Sequence, residues 1–147
     1  MKRRTAVAAA LLASALLASA LTGCGAGSAV NDLGTVARGA KGSTVRVEVG
    51  QGERFSLAVA ENASVGDHWS LEAVPDAKVA SYISKEYRGD GGGTGSGGTS
   101  YFVFNAKHAG TTEIRLRDCW RCGGAATPAT EESRRESGEA LFQVTVK

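Results

Sequence analysis

The sequence predicts an all-β protein, an antiparallel immunoglobulin-like β-sandwich of six to eight strands. Short segments alternate apolar and polar residues with a period of two, and clusters of turn-forming residues separate these segments. A length of 147 residues allows one such domain, and no long segment has a helical period. Because a sandwich presents its loops at its two ends, we expect the functional residues to lie in loops.

The first 23 residues are expected to be a signal peptide with a lipobox, outside the fold. Three basic residues at positions 2–4 precede an uncharged stretch, rich in alanine and leucine, that ends at Gly23. Leu21-Thr22-Gly23-Cys24 resembles the lipobox of bacterial lipoproteins, whose cysteine becomes lipid-linked. We therefore expect lipid attachment at Cys24, in preference to a retained membrane helix. The protein would be exported and anchored to the cell membrane, facing outside the cytoplasm; the choice between Sec and twin-arginine export stays open.

The charge balance argues against nucleic acid as a partner. The whole chain has a formal net charge of +2, but three of its 17 basic residues lie in the expected signal. The remainder has 14 basic and 15 acidic residues, interleaved along the chain. No basic patch for a phosphate backbone is left.

Residues 24–42 are small and polar, and we expect them to form a flexible tether from the lipidated Cys24. The β-sandwich domain is then expected to span residues 43–147. Four segments in it alternate clearly, through Val45-Val47-Val49, Phe55-Leu57-Val59, Thr112-Ile114-Leu116 and Phe142-Val144-Val146. Three more segments are expected in the sandwich: Trp69-Leu71-Ala73, which also has a period of two, the short apolar Tyr101–Phe104, and Val79–Tyr87, whose first five residues could be a strand or a short helical turn.

Metal and nucleophilic chemistry find no support in the sequence. His68 and His108 are far apart, with no second histidine or cysteine at ligand spacing. Neither has a serine or cysteine partner at an arguable spacing. The glycine-rich segment 88–99 lacks the lysine–threonine pair and the following helix of a phosphate-binding loop. We therefore predict a protein that is not an enzyme and that needs no cofactor or metal.

Cys119 and Cys122 have the spacing of a thioredoxin-like redox pair, but they lie between two predicted strands. In an exported protein, disulfides persist. We predict a structural bridge that closes four residues and contributes about 2 kcal/mol by the chain-entropy estimate. Its main effect would be to hold Trp120 and Arg121 at the apex of their loop.

Three loops carry motifs that resemble those of the chagasin-type inhibitors of papain-family cysteine peptidases. That family has an Asn-Pro-Thr-Thr-Gly loop before a tryptophan, and here Asn62-Ala63-Ser64-Val65-Gly66 precedes Trp69. Its second loop has Gly-X-Gly-Gly before an aromatic strand, as Gly95-Ser96-Gly97-Gly98 precedes residues 101–104. An Ala-Gly-Thr turn is matched at residues 109–111, and the third loop's Arg-Pro-Trp falls at Asp118-Cys119-Trp120. The resemblance covers about Ser43 to Lys147, and the family's arginine has no counterpart at Asp118.

The resemblance implies a reversible, uncleaved inhibitor whose three loops occlude the cleft of a papain-like cysteine peptidase. The binding residues would be Asn62, Ala63, Ser64, Val65 and Gly66 in the first loop, Gly95, Ser96, Gly97 and Gly98 in the second, and Asp118, Trp120 and Arg121 in the third. The inhibitor would be monomeric. The alternative is a non-inhibitory, surface-anchored module on the same sandwich that binds another protein or a cell-wall ligand.

Overall fold

The fold is a sandwich of two four-stranded sheets, seen in a computed structural model that describes residues 31–124 and 127–147. The signal peptide, the lipobox and Cys24 lie outside the described residues. The strands are β1 (Thr35–Gly39), β2 (Thr44–Val49), β3 (Arg54–Glu61), β4 (Trp69–Leu71), β5 (Ala80–Gly89), β6 (Gly98–Ala106), β7 (Gly110–Asp118) and β8 (Gly138–Val146), with one helix, α1 (Glu131–Glu136), before β8. The predicted all-β sandwich is confirmed.

The first sheet has the strand order β1-β3-β6-β5 and the second has β2-β8-β7-β4. Most neighbours are antiparallel, as predicted, but β1 pairs with β3 and β2 pairs with β8 in parallel. Both parallel partners are edge strands at the start of the domain. The chain therefore adds one strand to each sheet before the antiparallel part begins.

The core lies between the inner faces of the two sheets, where the alternating apolar residues meet. Phe55 and Phe104 stack with ring centroids 5.3 Å apart, and both are fully buried. The predicted periodicity places Ile114, Leu116 and Phe142 in the same cluster. Burial of side chains of this size is the main stabilising contribution to the fold.

The domain begins earlier than predicted, which corrects the expected tether. Residues 35–39 form β1, and Leu33 packs on the outer face of the first sheet against Ala58 and Val103. The Ser56 hydroxyl donates a 2.6 Å hydrogen bond to the Leu33 carbonyl. Residues 35–39 thus form an edge strand without a clear period of their own, because β3 supplies the hydrogen bonds.

One strand is shorter than predicted, and one segment with two predicted alternatives is a strand. Ala73 is exposed and lies outside β4, which ends at Leu71. The ambiguous segment forms a strand from Ala80, and this strand runs on to Gly89. Its register shifts between Tyr82 and Ser84, and this irregularity explains why no clear period of two was visible. No helix in the described ranges is long and apolar enough to cross a membrane.

Candidate functional site

The three predicted loops come together at one end of the sandwich. Loop one (residues 62–68) follows β3, loop two (90–97) joins β5 to β6, and loop three (119–137) joins β7 to β8. Glu61 at the end of β3 pairs with Gly98, and Trp69 at the start of β4 pairs with Asp118. Loop one therefore lies between the other two, one neighbour arising from each sheet.

Loop one is a closed turn held by the residue that begins it. The Asn62 carbonyl accepts hydrogen bonds from the amides of Val65 (3.1 Å) and Asp67 (3.2 Å). The Asn62 side-chain oxygen accepts from the amide and the hydroxyl of Ser64, at 3.1 and 2.5 Å. An asparagine that closes a turn on residues further along is a common local motif. It leaves the Val65 side chain 46% exposed at the tip.

Loop two meets loop one through a single carbonyl. The Gly95 oxygen accepts from the Asn62 side-chain amide at 3.2 Å and from the Ser64 hydroxyl at 3.1 Å. Within the hairpin, the Asp90 amide donates to the Gly97 carbonyl at 3.0 Å. A Cβ at Gly97 would lie 3.3 Å from the Asn62 Cβ, so the glycine allows close approach of the two loops.

Loop three meets loop one through Arg121. Its amide donates to the Gly66 carbonyl at 2.9 Å, and its Nε donates to the Val65 carbonyl at 3.3 Å. Gly66 has a φ of +111°, and a Cβ there would lie 2.4 Å from the Arg121 Cγ. The Arg121 guanidinium lies 4.3 Å from the centre of the Trp120 ring, a cation–π distance. Arg121 thus fastens the tip of loop one to the aromatic side chain of loop three.

The predicted disulfide between Cys119 and Cys122 is present, with the two Cα atoms 5.6 Å apart. Trp120 inside this ring is partly buried, and its backbone is fixed by the segment that follows. Its amide donates to the Ser137 hydroxyl at 2.9 Å, and its carbonyl accepts from the Ser133 hydroxyl at 2.5 Å. Ser133 lies in α1, so the helical part of loop three supports the apex that carries Trp120.

Asp118 does not belong to the exposed surface, which corrects its expected role as a contact. Its carboxylate is fully buried, accepts from the His68 amide at 2.6 Å and pairs with the Lys41 ammonium at 2.7 Å. Lys41 also pairs with Asp67 at 3.3 Å and donates to the Glu136 carbonyl at 2.7 Å. Burial acts to lower the pKa of Lys41, but the carboxylates of Asp118 and Asp67 raise it above its ordinary value of 10.5. Asp118 holds the bases of loops one and three together.

Gly98 is also a structural residue and not a contact. It is buried in β6, where it pairs with Glu61 on one side and with Gly89 on the other. A Cβ at this position would lie 2.4 Å from the Arg88 carbonyl and 2.6 Å from the Tyr87 hydroxyl. The absence of a side chain makes room for the Tyr87 ring, and the backbone is already engaged by the sheet.

A second buried charge lies beneath loops one and two. The Glu61 carboxylate is 6% exposed, pairs with the Lys85 ammonium at 2.8 Å and accepts a short hydrogen bond from the Ser100 hydroxyl. Lys85 also donates to the Trp69 carbonyl at 2.7 Å, so it bridges the two sheets. Sequence reasoning missed Lys41, Lys85 and Glu61, because pairing across distant segments leaves no local signal.

Together the three loops form a surface that projects from one end of the sandwich. An exposed valine is flanked by glycine backbone on one side and by the Trp120–Arg121 pair on the other. Within the described ranges, no three histidine, cysteine or acidic side chains are grouped so that they could hold a metal ion. Such a surface suits insertion into a groove of another macromolecule.

Comparison with known proteins gives a consistent family and fold. Residues 48–133 match the model of the family described as "Chagasin family peptidase inhibitor I42". The chain is similar in structure to the cysteine protease inhibitor EhICP2 from Entamoeba histolytica, at a TM-score of 0.54 and 13% identity over 77% of this chain and 96% of that one. It is also similar to Amebosin, at 0.52 and 18% identity over 77% and 98% of the two chains. PbICP-C, solved in complex with falcipain-2, matches at 0.52 and 12% identity over 77% and 92%. No curated protein sequence matches the chain.

Proposed function

Because the chain belongs to the chagasin family of peptidase inhibitors, we propose that it inhibits papain-like cysteine peptidases reversibly, by occluding the active-site cleft with its three loops. The family consists of inhibitors and not of enzymes, which confirms the expectation that the chain is not an enzyme. The observation that carries the proposal is the exposed tip of loop one, held from both sides by its neighbours.

Loop one would fill the floor of the cleft without being cut. A peptidase of this class cleaves peptides that lie extended along its groove, with the scissile carbonyl aligned to the thiolate. Loop one is closed on Asn62 by two backbone hydrogen bonds, so it cannot extend without breaking them. The small side chains of Ser64 and Val65 suit a narrow floor, and the fixed turn explains why binding would not lead to cleavage.

The outer loops would contact the two walls. Gly95, Ser96 and Gly97 offer backbone that can pair with the groove, because little side chain intervenes. Trp120 and Arg121 provide an aromatic anchor with a charge stacked on it, the residue types that dominate binding energies at interfaces. Three loops of this length can reach the ~1,600 Å² that standard protein interfaces bury.

The test is inhibition of papain and related enzymes by the purified chain. Wild type is expected to inhibit below micromolar concentration, and Trp120→Ala is expected to raise the inhibition constant about tenfold or more. Val65→Asp should have a comparable effect. Val74, which is 73% exposed in the β4–β5 connection, offers a matched control: Val74→Asp should leave inhibition unchanged.

Absence of inhibition at micromolar concentration across such a panel would overturn this proposal. It would favour the alternative function, a non-inhibitory surface module that binds another protein or a cell-wall ligand.

Export and lipid anchorage are a separate proposal that rests on the sequence alone. The Leu21-Thr22-Gly23-Cys24 segment would be cleaved before Cys24, and the thiol of Cys24 would carry the lipid. Mass spectrometry of the membrane fraction is expected to find the lipid on wild type and not on Cys24→Ala. A Cys24→Ala protein that still carried lipid would refute the anchor.

A further inference from the structure

Arg121 combines a strained backbone with a central position in the site. Its φ is +50°, and among the described residues it is the one position other than glycine with a positive φ. L-residues avoid this conformation because the Cβ crowds the following carbonyl. The Arg121 amide and Nε nevertheless make both of the hydrogen bonds that join loop three to the tip of loop one.

The disulfide brackets this strained residue. Cys119 and Cys122 close a ring in which Trp120 and Arg121 are the two intervening residues. The residues just before Arg121 have other restraints, since Ser133 and Ser137 bind the Trp120 backbone and Lys41 pairs with Asp118. Within the described ranges Arg121 has no such support from α1, so the bridge is the main covalent restraint on its backbone.

We infer that the Cys119–Cys122 disulfide makes this site redox-dependent, with Arg121 as the positioning residue through which reduction separates loop three from loop one. The inference rests on the proposed inhibitory function and adds its regulation. In the oxidised protein, loops one and three are already held in the arrangement that would enter the cleft of the peptidase. In the reduced protein the Arg121 joint, meaning the hydrogen bonds from Arg121 to Gly66 and Val65, opens, and binding to a peptidase must form these bonds again.

The chemistry needs a dithiol reductant. Cys119 is 8% exposed and Cys122 is more accessible, so an incoming thiolate attacks the Cys122 sulfur. The S–S bond breaks, Cys119 leaves as a thiolate, and Cys122 forms a mixed disulfide with the reductant. The second thiol of the reductant then attacks the reductant's sulfur in that mixed disulfide and releases Cys122 as a thiol. Two electrons and two protons pass to the protein, and the dithiol becomes a cyclic disulfide.

The size of the effect follows from the ring. Opening a four-residue ring frees conformations that the bridge had excluded, which lowers the ratio of joined to open states by up to about 20-fold on the chain-entropy estimate. The unfavourable positive φ of Arg121 further favours the open state, in which the hydrogen bonds from Arg121 to loop one are broken. A cysteine peptidase needs its own thiol reduced in order to act. A reducing setting would therefore activate the target and weaken the inhibitor together.

The experiment compares oxidised and reduced forms of the full chain in a Cys24→Ser background, which removes the third thiol. Papain is activated and desalted, and its inhibition is measured across a series of dithiothreitol concentrations. The inhibition constant of the bridged protein is expected to rise on reduction, by up to about 20-fold. Cys119→Ser/Cys122→Ser should be weak throughout, with no response to dithiothreitol. Arg121→Gly, which accepts a positive φ but lacks the side chain, should fall between the two forms.

Amide hydrogen exchange gives a readout that does not depend on inhibition. The Arg121 amide, which donates to Gly66, should exchange faster after reduction, while amides of β6 in the core should not change. Equal protection of Arg121 in both forms would overturn the inference. So would equal inhibition by both forms, and that result would leave the inhibitory function intact. Faster Arg121 exchange without any papain inhibition would instead refute the inhibitory function, and with it this inference.

Discussion

The two sides of loop one are built differently. On the side of loop two, the contact is one glycine carbonyl that accepts two hydrogen bonds. On the side of loop three, the contact includes two donors from Arg121, a disulfide and, at the base, an ion pair between the buried Asp118 carboxylate and the exposed Lys41. The difference indicates that the loop three side (the preset flank) is restrained by more contacts than the loop two side (the adjustable flank), which under the proposed function would adapt to the peptidase. Preset elements reduce the entropy lost on binding, and adjustable ones tolerate variation among partners.

The largest expected effect is loss of the ion pair at the base of the preset flank. Asp118→Ala removes the buried carboxylate that accepts from the His68 amide, which leaves that amide unsatisfied, so we expect the free energy of unfolding to fall by about 3 kcal/mol; the exposed Lys41 loses its closest partner as well. Denaturant unfolding followed by tryptophan fluorescence measures it. Glu48→Ala is the control, because the Glu48–Lys147 pair at 2.6 Å is exposed on both sides and is worth about 0.5 kcal/mol or less. Equal losses in the two variants would contradict the assigned role of Asp118.

The next effect compares one glycine from each flank. Gly66→Ala places a methyl group against Arg121, whereas Gly95→Ala meets nothing within 4 Å; both have a positive φ, +111° and +85°. The shared backbone strain should cost each variant about 1 kcal/mol, and the clash should add about 1–2 kcal/mol to Gly66→Ala alone. Thermal unfolding of both variants tests this. If Gly95→Ala were the more damaging change, the loop two flank would be the rigid one.

A smaller effect is expected from changes of loop length. Two glycines inserted between Gly92 and Gly93 should change stability by less than ~0.5 kcal/mol, because loop closure depends weakly on length. The same insertion between Trp120 and Arg121 enlarges the disulfide ring and should cost about 1 kcal/mol through the lost Arg121 hydrogen bonds. Denaturant midpoints of the two insertions give the comparison directly. Similar midpoints would mean that the ring does not restrain Arg121.

The smallest expected effect is a pH dependence. The pKa of Lys41 is raised in the folded protein, so its contribution is complete below its ordinary value of 10.5 and is lost as the pH rises above it. The stability difference between wild type and Lys41→Met should therefore shrink above pH 10.5. Tyr82 also has a raised pKa, through burial first and Glu86 second, but it is present in both proteins and cancels in the difference. A difference that stayed constant above pH 10.5 would contradict the assignment to Lys41.

Features that depend on neighbouring residues could be predicted from the sequence, whereas features that depend on contacts across the fold could not. The alternation in β2, β3, β7 and β8 and the disulfide could be inferred, because period and cysteine spacing are local properties. The burial of Asp118 could not, since Lys41 is its partner across the fold and nothing near either residue marks the pair. Gly98 was predicted to be a contact because it adjoins a glycine-rich loop. The sequence does not show whether the space beside a glycine is filled by a partner or, as here, by the Tyr87 ring.

The parallel pairing of β1 with β3 has a mechanical consequence. β1 begins beside Phe55, at the end of β3 opposite loop one, and runs towards the loops. A pull on the N-terminus against a partner held at the loops would slide β1 along β3, loading their hydrogen bonds together and not one after another. Shear of this kind resists force better than peeling. Under the proposed anchorage and inhibition, the five-residue edge strand β1 would thus carry the load between the anchor and a bound peptidase.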